Sequence, residues 1–64
     1  MNEKQKTKLA KEIIAYRAMH DLSQERFALA CRVSRPTIMR AEQGRPIRKT
    51  SELRIRQTME EGEW

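Results

Sequence analysis

The chain has 64 residues, a formal charge of +5, a pI near 10 and a mean hydropathy of −0.91. This length allows one domain, residues 1–64, whose small core is worth only a few kcal/mol, so support from a second subunit is plausible on energetic grounds alone. A single cysteine excludes an intrachain disulfide, one histidine beside it offers no metal-ligand spacing, and no apolar run approaches the ~20 residues of a membrane span.

Residues 1–8 are polar and mostly basic, with no apolar stretch behind them of the kind a signal peptide carries. A cytoplasmic protein without metal, cofactor, small-molecule ligand or membrane association is therefore expected. From about Lys4 to Met19 the pattern is helical. Leu9, Ile13, Tyr16 and His20 form one stripe, with Ile14 and Met19 widening it. His20-Asp21 ends this helix, and Leu22 turns inward. Ser23 is placed to cap a second helix, Gln24 to about Cys31, with Glu25 at its positive end. Two turns of helix are marginal alone, so this one needs its neighbour.

The turn is Arg32-Val33-Ser34, with Val33 pointing into the core. Ser34 caps a third helix, about Arg35 to Gln43, and Pro36 falls in its first turn, where a missing N–H costs little. Gly44 supplies a left-handed end, and Arg45-Pro46 forces an extended exit. Thr50 or Ser51 then caps a fourth helix reaching about Met59, with Leu53, Ile55 and Met59 as its apolar contacts. Residues 60–63 form an acidic end that closes on Trp64. No segment alternates as a strand does, so the expected fold is all-α.

Residues 23–43 thus read as two short helices joined by a tight turn. Phe27, Ala28, Cys31, Val33, Ile38 and Ala41 sit where such helices must touch. Arg35, Thr37 and Arg40 lie away from that seam. A helix that buries one face and offers Arg and Thr on the other suits the DNA major groove, where Arg to the O6 and N7 of guanine is the commonest specific contact. Ser23 and Gln24 at the start of the second helix, and Gln43, Arg45, Arg48 and Lys49 after the third, suit phosphate oxygens. From Arg32 to Arg56 there are eight basic residues (Arg32, Arg35, Arg40, Arg45, Arg48, Lys49, Arg54, Arg56) against two acidic ones, Glu42 and Glu52. Such an imbalance is the electrostatic footprint of a polyanionic partner.

The other chemistry-bearing residues have plainer roles. Cys31 is a small core residue, since a redox sensor needs exposure and a lowered pKa. His20 finishes its helix. Lys4, Lys6, Lys8 and Lys11 are a solvated face or, as the minority reading, a basic arm reaching around DNA. Ser23 and Ser34 are caps, with no His–Asp support for nucleophilic catalysis, and no enzyme is expected. Trp64 is a free end or an anchor at a subunit interface.

Residues from about Leu9 to Leu53, two-thirds of the chain, resemble the helix-turn-helix domain of lambda repressor, Cro and Xre-type regulators. The likeness rests on Tyr16-Arg17, on Leu22-Ser23-Gln24-Glu25 through Phe27-Ala28, on Val33-Ser34-Arg35-Pro36-Thr37-Ile38, and on Glu42-Gln43-Gly44-Arg45. The resemblance implies a small four- or five-helix lambda-repressor-like bundle. It puts Arg35, Pro36, Thr37 and Arg40 at groove-facing positions and Gln24 on a phosphate or base at the site edge. It also matches Arg17 and Glu42 to a buried ion pair that ties helix one to helix three in some members. Three departures stand out. Arg32 sits where the family usually has Gly with positive φ. Pro36 shortens the reach of a groove-facing position. The usual fifth helix, often the dimer contact, is not expected in the residues up to Trp64.

Two functions compete. One is a sequence-specific DNA-binding regulator, by resemblance a Cro-like repressor of a phage or mobile element, binding a partly palindromic operator as a homodimer. An antitoxin-like autorepressor is its near neighbour. The chain length leaves no sensing domain, so control is expected through concentration, turnover or a partner. The other is a protein-interaction module, an antitoxin or a small partner of another regulator, that uses the acidic end and Trp64 while DNA binding is secondary.

Overall fold

Four helical segments, separated by residues in left-handed or extended backbone, build an all-α fold. The computed structural model describes residues 3–62, with side chains from residue 7 onward. The helices are α1 (Glu3–His20), α2 (Gln24–Cys31), α3 (Arg35–Glu42) and α4 (Lys49–Glu61), and no strand occurs among the described residues. α3 lies against both α1 and α2, and α4 closes on α2. Leu9, Ile13, Phe27, Ala28, Cys31, Ile38, Ala41 and Ile55 form one buried cluster drawn from all four helices. Tyr16, Leu22, Val33, Ile47 and Met59 pack around it.

The helix ends share one device. Asp21 (φ 53°), Arg32 (φ 61°), Gly44 (φ 74°) and Gly62 (φ 58°) follow the four helices in left-handed backbone. At the first three, two crossed bonds satisfy carbonyls that the helix leaves open. Leu22 N–H donates to Arg17 O (2.9 Å) and Asp21 N–H to Ala18 O (3.4 Å). Val33 N–H reaches Ala28 O (3.0 Å) and Arg32 N–H Leu29 O (3.2 Å), while Arg45 N–H reaches Arg40 O (2.9 Å) and Gly44 N–H Ala41 O (3.1 Å). The residue after the first two left-handed positions, Leu22 and then Val33, folds back onto the core.

Arg32 holds a conformation that costs a residue with Cβ about 1–2 kcal/mol. Its recorded bonds are backbone ones: the N–H to Leu29 and a carbonyl that accepts Arg54 Nη1 at 3.0 Å. Arg32→Gly keeps both. It relieves the left-handed cost but gives back ~0.4–1 kcal/mol of unfolded-chain entropy. A modest net gain is expected, raising the thermal midpoint by up to about 4–8 °C. Calorimetry of the two proteins checks this; an unchanged or lowered midpoint contradicts it.

Several expectations need correction. Ile14 is 49% exposed and Met19 82% exposed, so neither widens the buried stripe of α1. At about 100° per residue, Ile14 points well away from Ile13, and Met19 from His20. Leu53 is 59% exposed, leaving Ile55 and Met59 as the inward residues of α4. Neither Thr50 nor Ser51 caps α4: Arg48 does, without a side-chain bond. The partly buried Ile47 ties the incoming chain to the core, so the helix starts directly after it and takes both hydroxyl residues into its first turn. α3 stops at Glu42 and Gln43 is its C-cap, while α1 runs through His20 and α4 through Glu61. Glu63 and Trp64, and the side chains of Lys4 and Lys6, lie outside the described residues.

Candidate nucleic-acid interface

α3 is held from behind and open in front. Ile38 and Ala41 are its buried residues, and they meet Phe27, Ala28 and Cys31 of α2 in the core. Arg35, Pro36 and Arg40 are exposed, and Thr37 is half-buried. With 3.6 residues per turn, Arg35 and Arg40 stand more than one turn apart along the rod. Ser34 is the N-cap in extended backbone, but its hydroxyl does not bond the helix N–H groups. It pairs instead with Thr37 Oγ1 at 2.9 Å. The expected cap at Ser23 does form, with Oγ accepting Arg26 N–H at 3.1 Å.

The far end of α3 is tied down by charge. Arg17 Nη1 donates to Glu42 Oε2 at 2.6 Å, and Gln24 Nε2 donates to Glu42 Oε1 at 3.0 Å. Arg17 Nε also donates to Leu22 O at 3.1 Å. One carboxylate therefore joins the last turn of α1, the first residue of α2 and the end of α3. The Glu42 side chain is 11% exposed and that of Arg17 23%, so water screens this pair less than a surface pair. Gln24, expected at a phosphate, is half-buried with its amide engaged by Glu42. Its first-residue position on α2 leaves it at the mouth of that helix's N-terminus. Sequence reasoning missed this link, because Gln24 and Glu42 belong to different helices and no spacing rule joins them.

Gln43, Arg45, Arg48 and Lys49 are all exposed, and Arg48-Lys49 stand at the N-terminus of α4, whose open N–H groups and dipole add positive potential. Two basic residues of the Arg32–Arg56 run serve the fold instead. Arg54 holds the Arg32 carbonyl, and Arg56 pairs with Glu52 Oε2 at 3.1 Å and Glu12 Oε1 at 3.4 Å. The Glu52–Arg56 spacing of four residues on one helix was readable in advance; the bond to α1 was not. Cys31 is buried, and that burial raises its thiol pKa against a lowering hydrogen bond from Thr58. The His20 ring lies tilted by 34° against that of Tyr16, centroids 4.2 Å apart.

Among the described residues no group of three His, Cys, Asp or Glu could hold a metal ion, and no helix is long and apolar enough to cross a membrane. No protein-family model matches the chain, and neither the curated proteins nor the solved structures yield a match.

Proposed function

We propose that this chain is a sequence-specific double-stranded DNA-binding transcriptional regulator of the lambda repressor, Cro and Xre type, acting as a homodimeric repressor. The observation that supports this reading is the braced rod: α3 fixed along Ile38 and Ala41 and at Glu42, with Arg35 and Arg40 open to solvent. Hydrogen-bond readout needs side chains held to about half an ångström, and a rod supported from behind meets that need. Arg35, Thr37 and Arg40 would read base edges, beside the short Pro36. Ser23, Gln43, Arg45, Arg48 and Lys49 would hold phosphates, with Gln24 joining them only if its amide leaves Glu42. Two copies would set their third helices about 34 Å apart in successive major grooves of a partly palindromic operator. The likeness to Cro points to a phage or mobile element as the setting.

Selection from random duplexes tests this. The expected winners carry two related half-sites about one helical turn apart, bound with a steep salt dependence. Absence of salt-sensitive retention on duplex DNA would instead favour the protein-interaction module. Arg48→Ala is expected to weaken binding to all duplexes alike and to flatten the plot of log affinity against log salt by about one unit per subunit. A loss confined to one sequence would contradict a phosphate role for Arg48.

A further inference from the structure

α1 and α4 meet over an open groove of about 420 Å³, within the size range that takes a small organic group. Ala15, Tyr16, Met19 and Met59 give it apolar walls, and the paired Glu12 and Arg56, with Glu60, form its polar margin. No described residue covers Met19, which is 82% exposed.

We propose that the indole of Trp64, from the same chain, occupies this groove. The groove extends to Met59 and Glu60 on the last turns of α4, and Trp64 follows Gly62 by two residues, at most about 7 Å of chain. The left-handed backbone of Gly62 (φ 58°), with its N–H on Thr58 O at 3.1 Å, ends α4, so the residues that follow need not continue along its axis. At the ends of α1 and α2 a left-handed residue, Asp21 or Arg32, likewise precedes an apolar residue, Leu22 or Val33, that packs on the core. Behind Gly62 the first apolar residue is Trp64.

The chemistry matches. Methionine sulfur makes favourable contacts at aromatic ring edges, and two methionines stand in the groove. An indole there keeps its N–H at the polar margin, where the carboxylates of Glu12 and Glu60 can accept it. So short a tether gives a local concentration in the millimolar range, which favours the chain's own ring over that of a second copy. The inference is independent of DNA binding.

Trp64 is the only tryptophan, so its fluorescence in the full chain reports on the groove directly. The folded protein is expected to emit to the blue of the urea-unfolded chain and to resist iodide quenching several-fold better, equally at low and high protein concentration. Met19→Glu changes an exposed position and should leave helical circular dichroism intact, while shifting emission and quenching towards the unfolded values. Nuclear Overhauser contacts between the indole and the Met19 and Met59 ε-methyls in the unmutated chain are expected, without reliance on any variant. Trp64→Ala should lower the thermal midpoint by about 4–8 °C. A solvent-like emission in the parent protein, or a shielded indole indifferent to Met19→Glu and without those methyl contacts, overturns the proposal. Shielding that grows with protein concentration also overturns it, by giving the groove to a second copy.

Discussion

Phe27→Ala is expected to leave the domain largely unfolded at 25 °C. Phe27 is fully buried, and its ring lies 5.5 Å from that of Tyr16 at the meeting point of α1 and α2. Removing a buried phenylalanine costs about 3–5 kcal/mol, the lost transfer energy plus the cavity left behind. A chain of this length has only about 3–10 kcal/mol in total, at the usual ~0.05–0.15 kcal/mol per residue. The loss is therefore of the same order as the whole stability. Leu29→Ala, two positions along the same helix, removes a side chain that is 73% exposed and should change stability by no more than about 0.5 kcal/mol. Urea titrations followed by circular dichroism separate the two variants. A cooperative transition for Phe27→Ala close to that of the parent would show that the core is not centred on this ring. Because α3 rests on α2, the duplex binding proposed above should be absent wherever the fold is lost.

Arg40→Ala is expected to leave the fold intact and to lower specific affinity by roughly 1–3 kcal/mol, about 5- to 150-fold. Its backbone carbonyl accepts Gln43 N–H at 3.1 Å and Arg45 N–H at 2.9 Å, and alanine preserves both. What is lost is an exposed guanidinium on the open side of α3. If that group reads guanine, preference should relax at one base pair in each half-site while non-specific binding changes little. Operator selectivity unchanged in a competitive selection would remove Arg40 from the reading set. Unlike Phe27→Ala, this variant should melt with the parent protein, so a binding loss cannot be mistaken for unfolding.

The span and buried side of the second helix follow from hydroxyl capping and helical spacing: Ser23 as its cap, Cys31 as its last residue, and Phe27, Ala28 and Cys31 facing the core. The left-handed Gly44 was equally plain, because glycine bears that backbone at no steric cost. α1 was harder. Ile14 and Met19 are apolar, but rotation about the helix axis turns them from the core, and apolar character alone does not reveal orientation. Thr50 and Ser51 are good capping residues, but α4 starts before them, because the tertiary tie at Ile47 leaves no local signal in the sequence. In the candidate interface, the spread of exposed basic residues came from spacing and charge. The Arg17–Glu42 pairing came only from family likeness. Gln24 on Glu42, Arg54 on a backbone carbonyl and Arg56 between α1 and α4 are contacts across elements distant in sequence, which local rules do not address.

The carboxylate of Glu42 clamps one end of α3 to two other helices, whereas the side chains of Ser34 and Thr37 at its opposite end bond only each other. Ile38 and Ala41, buried behind it, hold the rod along its length, and the Glu42 clamp adds a second hold at its C-terminal end alone. Any opening of α3 should therefore begin at the Arg35 turn and reach the Arg40 turn last.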